Sequence, residues 1–355
     1  MSIARRSSLS LLTFAALIAA LAATGRAQES EQYVVSGERV AVYNLAGRAT
    51  IQPGAGRAVV VRVTPGGSDA DRLIIEQGPI GDFETLRVIY PADRVVYREL
   101  RGTTELRVRE DGTFGDRWGG RRREGERVRI SHRGSGLEAH ADLEIVVPQG
   151  QLLSLYLAMG EVTISNVNGR LRIDTNAGPV SASGTTGELV IDVGSGAVDV
   201  MDAEGDVDID TGSGSVELSS VHGDLLRIDT GSGSVSVTDA AVSSLDIDTG
   251  SGSIEVRGAS ARSARLDTGS GSIDVELDQE SDRIEIDTGS GGVRLAVPES
   301  FGATLDLETG SGDIDVDFPV TTRRWQRDRL SGRIGDGRTR VSIDTGSGSI
   351  RIVKR

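Results

Sequence analysis

The residues with the clearest potential for chemistry form the stretch Ile-Asp-Thr-Gly-Ser-Gly-Ser-Ile at 247–254. A hydrophobic residue followed by Asp-Thr-Gly is typical of the catalytic turn of aspartic proteases, in which two carboxylates share one proton and activate water. Such an enzyme needs two of these turns, one from each of two facing lobes. The number and spacing of the turns therefore decide whether this chemistry is available.

The turn recurs along the second half of the chain and does not form one pair. If the aspartate is position zero, that position recurs at intervals of 18 to 21 residues, with one interval of 36 before the last copy. It is filled in turn by Tyr156, Asp174, Asp192, Asp210, Asp229, Asp248, Asp267, Asp287, Glu308 and Asp344. A row of neighbouring carboxylates excludes the protease arrangement, and we predict no catalytic and no cofactor-binding residues.

A row of stacked carboxylates must still be stabilised, because two charges about 4.8 Å apart repel by roughly 1 kcal/mol even in water. One hypothesis is that each aspartate accepts hydrogen bonds from the backbone amides of its own Gly-Ser-Gly turn. The other is a calcium ladder with threonine and serine oxygens as weaker ligands. Its candidate ligands are Asp192, Asp210, Asp229, Asp248, Asp267 and Asp287. The three histidines, at 132, 140 and 222, have no metal-ligand spacing.

The residues around each turn alternate between apolar and polar. Positions −3, −1, +6 and +8 give forty sites in ten repeats, and all forty are apolar. Alternation on both sides of a turn predicts two short strands per repeat, each with one buried face. Position +4 is always glycine, which predicts a tight turn with left-handed residues and close approach of stacked chains. We also place Asn176, at position +2, among the residues with positive φ.

A repeat of this length cannot bury its inner face alone, so consecutive repeats must stack. The sequence therefore predicts an all-β fold: a parallel β-solenoid of about ten coils of 18–21 residues, with an N-terminal β-rich capping region. The regular solenoid spans residues 151–355, and an inserted segment at 318–340 precedes the last coil. We expect Phe318 and Trp325 in that segment to brace the last coils.

Residues 28–150 form the predicted N-terminal region. The stretch Val40–Ile51 fits the repeat template around Tyr43, which indicates diverged solenoid coils in this region. An inserted surface loop is predicted at 110–136, with Trp118 and the run Arg121–Arg123.

The first 27 residues are predicted to be a secretory signal peptide. Two arginines precede an apolar run that ends at small residues before Ala27. No later segment is apolar enough to cross a membrane. The chain has no cysteine and a net charge of −14, which exclude disulfides and make nucleic acid an unsuitable partner. We expect an exported protein of the periplasm, cell surface or extracellular space.

With the repeat established, the chain resembles a bacterial family known as putative adhesins, a domain of unknown function. The similarity rests on Val-x-Val-x-Asn-x-x-Gly at 40–47, Val-Val-Pro-Gln-Gly at 146–150, Gly-Arg-Ile-Gly-Asp-Gly at 332–337 and the final Ile-Asp-Thr-Gly-Ser-Gly-Ser-Ile-Arg-Ile. The resemblance covers residues 35–355 and implies a β-solenoid exposed in the cell envelope. It implies no defined activity.

The sequence as a whole predicts a non-enzymatic cell-envelope protein. Its polar ladders would contact a surface, a glycan or other polymer, or a protein. Two alternatives stay open: a carbohydrate-active β-helix enzyme, and a passive structural or envelope-stress component. A groove of clustered acidic and basic residues would favour the enzyme, and uniform ladders favour the contact protein.

Overall fold

The computed structural model describes residues 30–115 and 125–355. The predicted signal peptide, Trp118 and Arg121–Arg123 lie outside the described residues.

Almost all regular structure in the described chain is β-strand; one short 3-10 turn, Ala70–Arg72, is also present. The N-terminal strands are β1 (Glu31–Val35), β2 (Arg39–Ala46), β3 (Ala49–Gly54), β4 (Val59–Gly66), β5 (Ile74–Ile80), β6 (Phe83–Ile89), β7 (Arg94–Val96), β8 (Thr103–Val108), β9 (Glu126–Ser131) and β10 (His140–Pro148). The first strands of the repeat are β11 (Gln151–Met159), β12 (Val162–Ser165), β13 (Asn168–Ala177), β14 (Val180–Ser183), β15 (Thr186–Ser195), β16 (Val198–Glu204), β17 (Val207–Ser213), β18 (Val216–Ser232), β19 (Val235–Thr249) and β20 (Ile254–Thr268). The last are β21 (Ile273–Leu277), β22 (Arg283–Thr288), β23 (Val293–Val297), β24 (Ala303–Thr309), β25 (Ile314–Val316), β26 (Val320–Trp325), β27 (Arg329–Ile334), β28 (Thr339–Thr345) and β29 (Ile350–Lys354).

The repeats stack as a parallel β-solenoid with two ladders of strands. The strand before each turn pairs in parallel with the strand before the next turn, as β11 does with β13 and β13 with β15. The strands after the turns form the second ladder, as in β12–β14–β16. Of the forty predicted inward residues, thirty-eight are buried, and the exceptions are Ile314 and Val316. The predicted fold class is therefore confirmed.

A further coil begins the stack, far from the others in sequence. Strand β2 pairs in parallel with β11, and β3 pairs in parallel with β12, so that Tyr43 lies beside Tyr156. Two sets of strands then cover this end. On the first ladder, β6 pairs with β2 and β5 with β6. On the second, β10 pairs with β3, β4 with β10, and β1 with β4.

Part of the predicted surface loop at 110–136 is in fact a strand. Residues Glu126–Ser131 form β9, which pairs antiparallel with β8 and parallel with β7 in a separate three-stranded sheet. Val128 and Ile130 of β9 are buried. The prediction of a loop over these residues is wrong, because Val128 and Ile130 carry a short apolar alternation between flanking arginines.

The order of coils at the C-terminal end differs from the order in the sequence. The last coil of the chain, β28 and β29, pairs with β22 and β23 on one side and with β24 and β25 on the other. It is thus inserted between two earlier coils, and the prediction that each coil stacks on its sequence neighbour is wrong here. The hairpin β26–β27 then covers β24. Every repeat carries the same pattern, so the pattern alone could not specify this order.

The second connection of each coil is more regular than its sequence suggests. Position +10 lies at a corner with φ between +52° and +64° in six successive coils. These residues are Asn166, Gly184, Asp202, Ser220, Asp239 and Gly258. The following residues pair between coils in register, as Ala203 does with Val221 and Val221 with Ala240. The variation in repeat length suggests a loose connection here, but the structure shows a hydrogen-bonded third side in these coils.

Candidate functional site

The residues at position zero form one continuous outward row along the first ladder. Each aspartate lies opposite the next in the strand register, and Asp344 lies between Asp287 and Glu308. In spatial order this aspartate row consists of Asp174, Asp192, Asp210, Asp229, Asp248, Asp267, Asp287 and Asp344. The row is set by the backbone, since parallel strands without a register shift place equivalent side chains about 4.8 Å apart.

The residue after each aspartate points in the opposite direction and is almost always a buried threonine. These threonines make up the threonine row: Thr175, Thr211, Thr230, Thr249, Thr268, Thr288, Thr345 and Thr309, all at most 1% exposed. The Thr268 hydroxyl donates a hydrogen bond of 2.9 Å to the carbonyl of Gly252 in the preceding coil. The Thr345 hydroxyl donates likewise to Gly291, and the Thr309 hydroxyl to Gly348.

The glycine at position +4 is required because stacked chains approach closely. A Cβ atom on Gly252 would lie 2.0 Å from the carbonyl oxygen of Gly233, and one on Gly271 would lie 2.0 Å from that of Gly252. No side chain fits at such a distance. The predicted close approach is confirmed, and it accounts for glycine at this position in every coil.

The predicted left-handed conformation is found in only part of this turn. At position +4, Gly178, Gly196 and Gly214 have φ of 136°, 152° and 152°, in the range that favours glycine, whereas Gly252 has no φ in that range. At position +2 the prediction is wrong, because Asn176 has no positive φ. Further left-handed residues lie at the other corner, at position +10, where asparagine and aspartate tolerate this conformation better than most residues.

The glycine amides of two turns pair with neighbouring coils and not with the carboxylates. In the turn after Asp267, the Gly269 amide donates a hydrogen bond to the carbonyl of Thr249. The Gly271 amide donates one to the carbonyl of Ser290, and the N–O distance is 3.1 Å in both bonds. These amides therefore pair with neighbouring coils. In the turn after Asp287, the two glycine amides pair in the same way. The hypothesis of a local aspartate turn is wrong for both positions.

Three neighbouring carboxyl groups of the aspartate row are harder to ionise than isolated ones. Partial burial and then repulsion from Asp267 and Asp229 raise the pKa of Asp248 above its usual value. Burial and the neighbouring carboxylate likewise raise the pKa of Asp267 and of Asp287. The Arg265 guanidinium acts in the opposite direction on all three carboxyl groups. The aspartate row is thus a surface of concentrated, incompletely compensated negative charge.

Position −2 lies beside the aspartate row and carries charges of both signs. In spatial order it reads Arg172, Val190, Asp208, Arg227, Asp246, Arg265 and Glu285. One shallow depression on this face is lined by Arg265, Glu285 and the carboxylates of Asp267, Asp287 and Asp344. A second is lined by Asp208, Arg227 and neighbouring aspartates of the row.

These groups do not form a compact ligand set for a metal. Within 30–115 and 125–355, no three His, Asp or Glu side chains come together as a group that could hold an ion. Of the three histidines, His140 lies 3.6 Å from the Glu99 carboxylate, and His132 contacts Gly102. The calcium ladder along Asp192, Asp210, Asp229, Asp248, Asp267 and Asp287 stays a prediction.

Towards the N-terminal end, the same outward position is buried and aromatic. The rings of Tyr43 and Tyr156 stack with centroids 4.5 Å apart and an interplanar angle of 2°. Phe114 packs edge-on against both rings. Position zero therefore changes from a covered aromatic pair to the carboxylates that begin at Asp174.

The outer face of the second ladder is also polar but lacks a continuous row of one charge. Its depression is lined by serine, threonine and small apolar residues together with Asp199 and Glu217. Met201 in this depression is 53% exposed. Further along the face, Asp274 forms an ion pair of 2.8 Å with Arg294.

The two aromatic residues of the inserted segment have different environments. Phe318 is buried, and its ring centroid lies 6.2 Å from that of Phe301, as predicted for a brace. Trp325 is 60% exposed, so its predicted role is wrong. It lies opposite the buried Leu330 in the hairpin register, and within 30–115 and 125–355 no further strand pairs with β26 to cover it.

The threonine row is the main feature that the apolar pattern missed. Residues two apart in a strand point to the same side, so the threonine at position +1 faces the core together with positions −3 and −1. The left-handed corner carried a signal as well, because position +10 holds Asn, Gly, Asp, Ser, Asp and Gly in successive coils.

Comparison with known proteins identifies a family. A family model described as Toastrack DUF4097 matches residues 142–353, which is more than half of the chain. A search of curated proteins finds no match. No helix in the described residues has the length and apolar character needed to cross a membrane.

Among solved structures, the chain is similar to one described as a putative cell adhesion protein from Clostridium sporogenes, with 10% identity, coverage of 92% of this chain and 99% of the other, and a TM-score of 0.21. A structure described as a putative adhesin from Parabacteroides merdae has 10% identity, coverage of 92% and 95%, and a TM-score of 0.29. One described as a putative lipid binding protein from Parabacteroides distasonis has 13% identity, coverage of 92% and 96%, and a TM-score of 0.37. Scores this low carry no argument about this chain.

Proposed function

Because this chain belongs to the Toastrack DUF4097 family, and because its outward rows are regular, we propose that it is a non-enzymatic contact protein of the cell envelope. Its solenoid presents polar ladders to another surface, to a polymer or to a protein. The proposal includes export through a signal peptide at residues 1–27. It rests on the sequence of that segment and on the family.

The proposal is supported chiefly by the different roles of the inward and outward residues in each turn. Inward side chains and turn amides are engaged in stacking, as the Thr268 hydroxyl and the Gly269 amide illustrate. In the turns of Asp267 and Asp287, the glycine amides pair with neighbouring coils and not with the aspartate carboxylates. A long repeated row of exposed charge offers many equivalent contacts, which suits recognition of an extended partner.

The location is tested by fractionating the cells that produce the protein and by protease shaving of intact cells. We expect the mature chain to begin after Ala27 and to appear in the envelope or outside the cell. Retention in the cytoplasm with residues 1–27 intact would contradict export. Complete protection of an exported chain from the protease would contradict the surface contact role.

The contact role is tested by measuring how much labelled mature protein binds to intact cells. The test variant carries asparagine at Asp229, Asp248, Asp267 and Asp287. A matched variant removes four carboxylates from the second ladder through Asp199→Asn, Glu217→Gln, Glu255→Gln and Asp274→Asn. We expect only the first variant to lose binding. Equal loss would indicate a nonspecific effect of charge, and no loss would remove the aspartate row from the proposed site.

A carbohydrate-active enzyme is the second candidate, and one observation favours it. The depression at Arg265 combines acidic and basic groups beside carboxyl groups with raised pKa. Pairs of carboxylates about 5 Å apart serve as acid and nucleophile in retaining glycosidases. Release of reducing ends from envelope polysaccharides, abolished by Asp287→Asn, would establish this function. Absence of products with native protein would exclude it for the polymers tested.

A further inference from the structure

The C-terminal end of the solenoid differs in charge from the rest of the molecule. We define the basic cap as residues 318–340, which include the hairpin β26–β27. The segment holds seven arginines and two aspartates, whereas the whole chain has a net charge of −14. A positive end on a negative rod is oriented by any charged surface.

Among the arginines of the basic cap that the protein itself does not neutralise, two are adjacent in sequence and precede Trp325 directly. Arg327 pairs with Asp313, and Arg329 pairs with Glu308. Arg323 and Arg324, by contrast, are exposed and form no ion pair within the described ranges 30–115 and 125–355. They therefore present two free guanidinium groups at the end of the rod.

An apolar ring is exposed directly beside these arginines. Trp325 is 60% exposed although its register partner Leu330 is fully buried. Strand β26 is the last strand of the first ladder, and the second ladder ends close by at Ile314 and Val316, which are only partly buried. The core is thus incompletely covered at this end, next to free positive charge.

Protection of an open sheet edge explains part of this arrangement. Arginines and the irregularity between Thr322 and Arg324 discourage edge-to-edge pairing with another chain. They do not explain an exposed tryptophan, which would add an adhesive apolar surface to an edge that must stay unpaired. An aromatic ring with adjacent arginines matches a negatively charged interface with an apolar interior.

We propose that the basic cap docks on the surface of an anionic phospholipid membrane. Arg323 and Arg324 contact lipid phosphates, and Trp325 inserts its ring at the level of the headgroups. The acidic sides of the solenoid are repelled by the same surface, so the rod binds by its C-terminal end. The aspartate row then extends along the rod away from the membrane. The chemical partner is an anionic lipid headgroup in a bilayer.

This inference depends on the proposed envelope function only for its cellular setting. The purified mature chain is tested directly, so vesicle binding can fail while export succeeds, and export can fail while vesicle binding succeeds.

The experiment is flotation of the mature protein with vesicles of phosphatidylcholine alone and with 30% phosphatidylglycerol. We expect binding only to the anionic vesicles and release by high salt, because surface potentials are screened within about 10 Å at 0.1 M. Each arginine near such a surface contributes about 1 kcal/mol. Arg323→Gln with Arg324→Gln should therefore weaken binding about thirtyfold. The matched control is Arg57→Gln with Arg72→Gln, which removes the same charge near the opposite end and should leave binding unchanged.

Fluorescence gives a second readout that charge alone would not change. Trp118→Phe leaves Trp325 as the chain's one tryptophan. Its emission should shift to shorter wavelength on anionic vesicles and become protected from an aqueous quencher. The proposal is overturned if the protein does not float, if both arginine variants weaken binding equally, or if Trp325 emission does not change. Binding to soluble polyanions but not to vesicles, or concentration-dependent self-association through the cap, would also overturn it.

Discussion

The two rows that flank each Asp-Thr-Gly turn differ in almost every physical property. The threonine row is buried, and Thr268 is joined to the neighbouring coil by a hydrogen bond to Gly252, where the stacked chains also approach closely. The aspartate row is outward, lies in perfect register and repels itself. Residues adjacent in the sequence thus have different roles. The threonine row stabilises the stack of coils, and the aspartate row places negative charge on its surface.

The N-terminal part of the outward row supports this division. There, position zero is occupied by Tyr43 and Tyr156, which are covered by Phe114, while Gly160 still approaches Gly47 closely. The close approach of the stacked chains is thus retained even where the outward residue is tyrosine and not aspartate. The outward position is therefore free to vary without altering the fold.

The largest expected effect comes from the glycine at position +4. Gly252→Ala places a Cβ atom 2.0 Å from the Gly233 carbonyl oxygen, so the coils must separate. We expect a loss of about 3 kcal/mol or more in unfolding free energy, measured by urea denaturation. The control is Ser251→Ala in the same turn, which is exposed and should change stability by less than about 0.5 kcal/mol. Equal effects would contradict the close-approach account.

The next effect separates the bonded threonines from the unbonded ones. Thr268→Val removes the hydrogen bond to Gly252 and should cost about 1 kcal/mol. The Thr230 hydroxyl is buried and has no hydrogen-bond partner among the residues that the structure describes, so Thr230→Val should be neutral or stabilising. Thermal unfolding of the two variants decides this point. A comparable loss of stability in both variants would show that the hydrogen bond from Thr268 to Gly252 does not contribute to stability.

A smaller effect of opposite sign is expected in the aspartate row. Asp248→Asn relieves repulsion from Asp229 and Asp267 and should stabilise the protein at pH 7 by a few tenths of a kcal/mol to about 1 kcal/mol. Asp274→Asn is the control, because its carboxylate is paired with Arg294 and its removal relieves no repulsion in the row. Destabilisation by Asp248→Asn would mean that this carboxylate has a structural role.

The smallest effect on stability is expected from calcium, which would act on the aspartate row and not on the threonine row. Ions held between Asp192, Asp210, Asp229, Asp248, Asp267 and Asp287 would offset their repulsion. The hypothesis predicts that millimolar calcium raises the melting temperature of native protein and gives a saturable binding signal in calorimetry. A variant with asparagine at the last four positions should show neither. No response from native protein would remove the hypothesis.

The sequence predicted the solenoid well because its two-residue alternation reports burial directly. It predicted the glycine requirement but assigned part of it to positive φ, since sequence does not distinguish a close approach from a left-handed residue. It missed the place of the last coil, β28 and β29, because the repeats are interchangeable in pattern. It also placed Trp325 in a brace, although an aromatic residue near the end of a stack can face solvent when no further coil covers it.

We infer that the aspartate row destabilises the folded state and is not needed to maintain the solenoid. The raised pKa values of Asp248, Asp267 and Asp287 mean that the folded state binds protons more readily than the unfolded state. The burial and mutual repulsion of the charged carboxylates therefore destabilise the protein at neutral pH, and this cost disappears as pH falls below the unfolded pKa. The decisive measurement is unfolding free energy against pH for native protein and for the variant with asparagine at 229, 248, 267 and 287. We predict that the variant is more stable at pH 7 and that the difference shrinks to nothing near pH 3. A variant that is less stable than native protein at pH 7, or that fails to fold, would contradict the account.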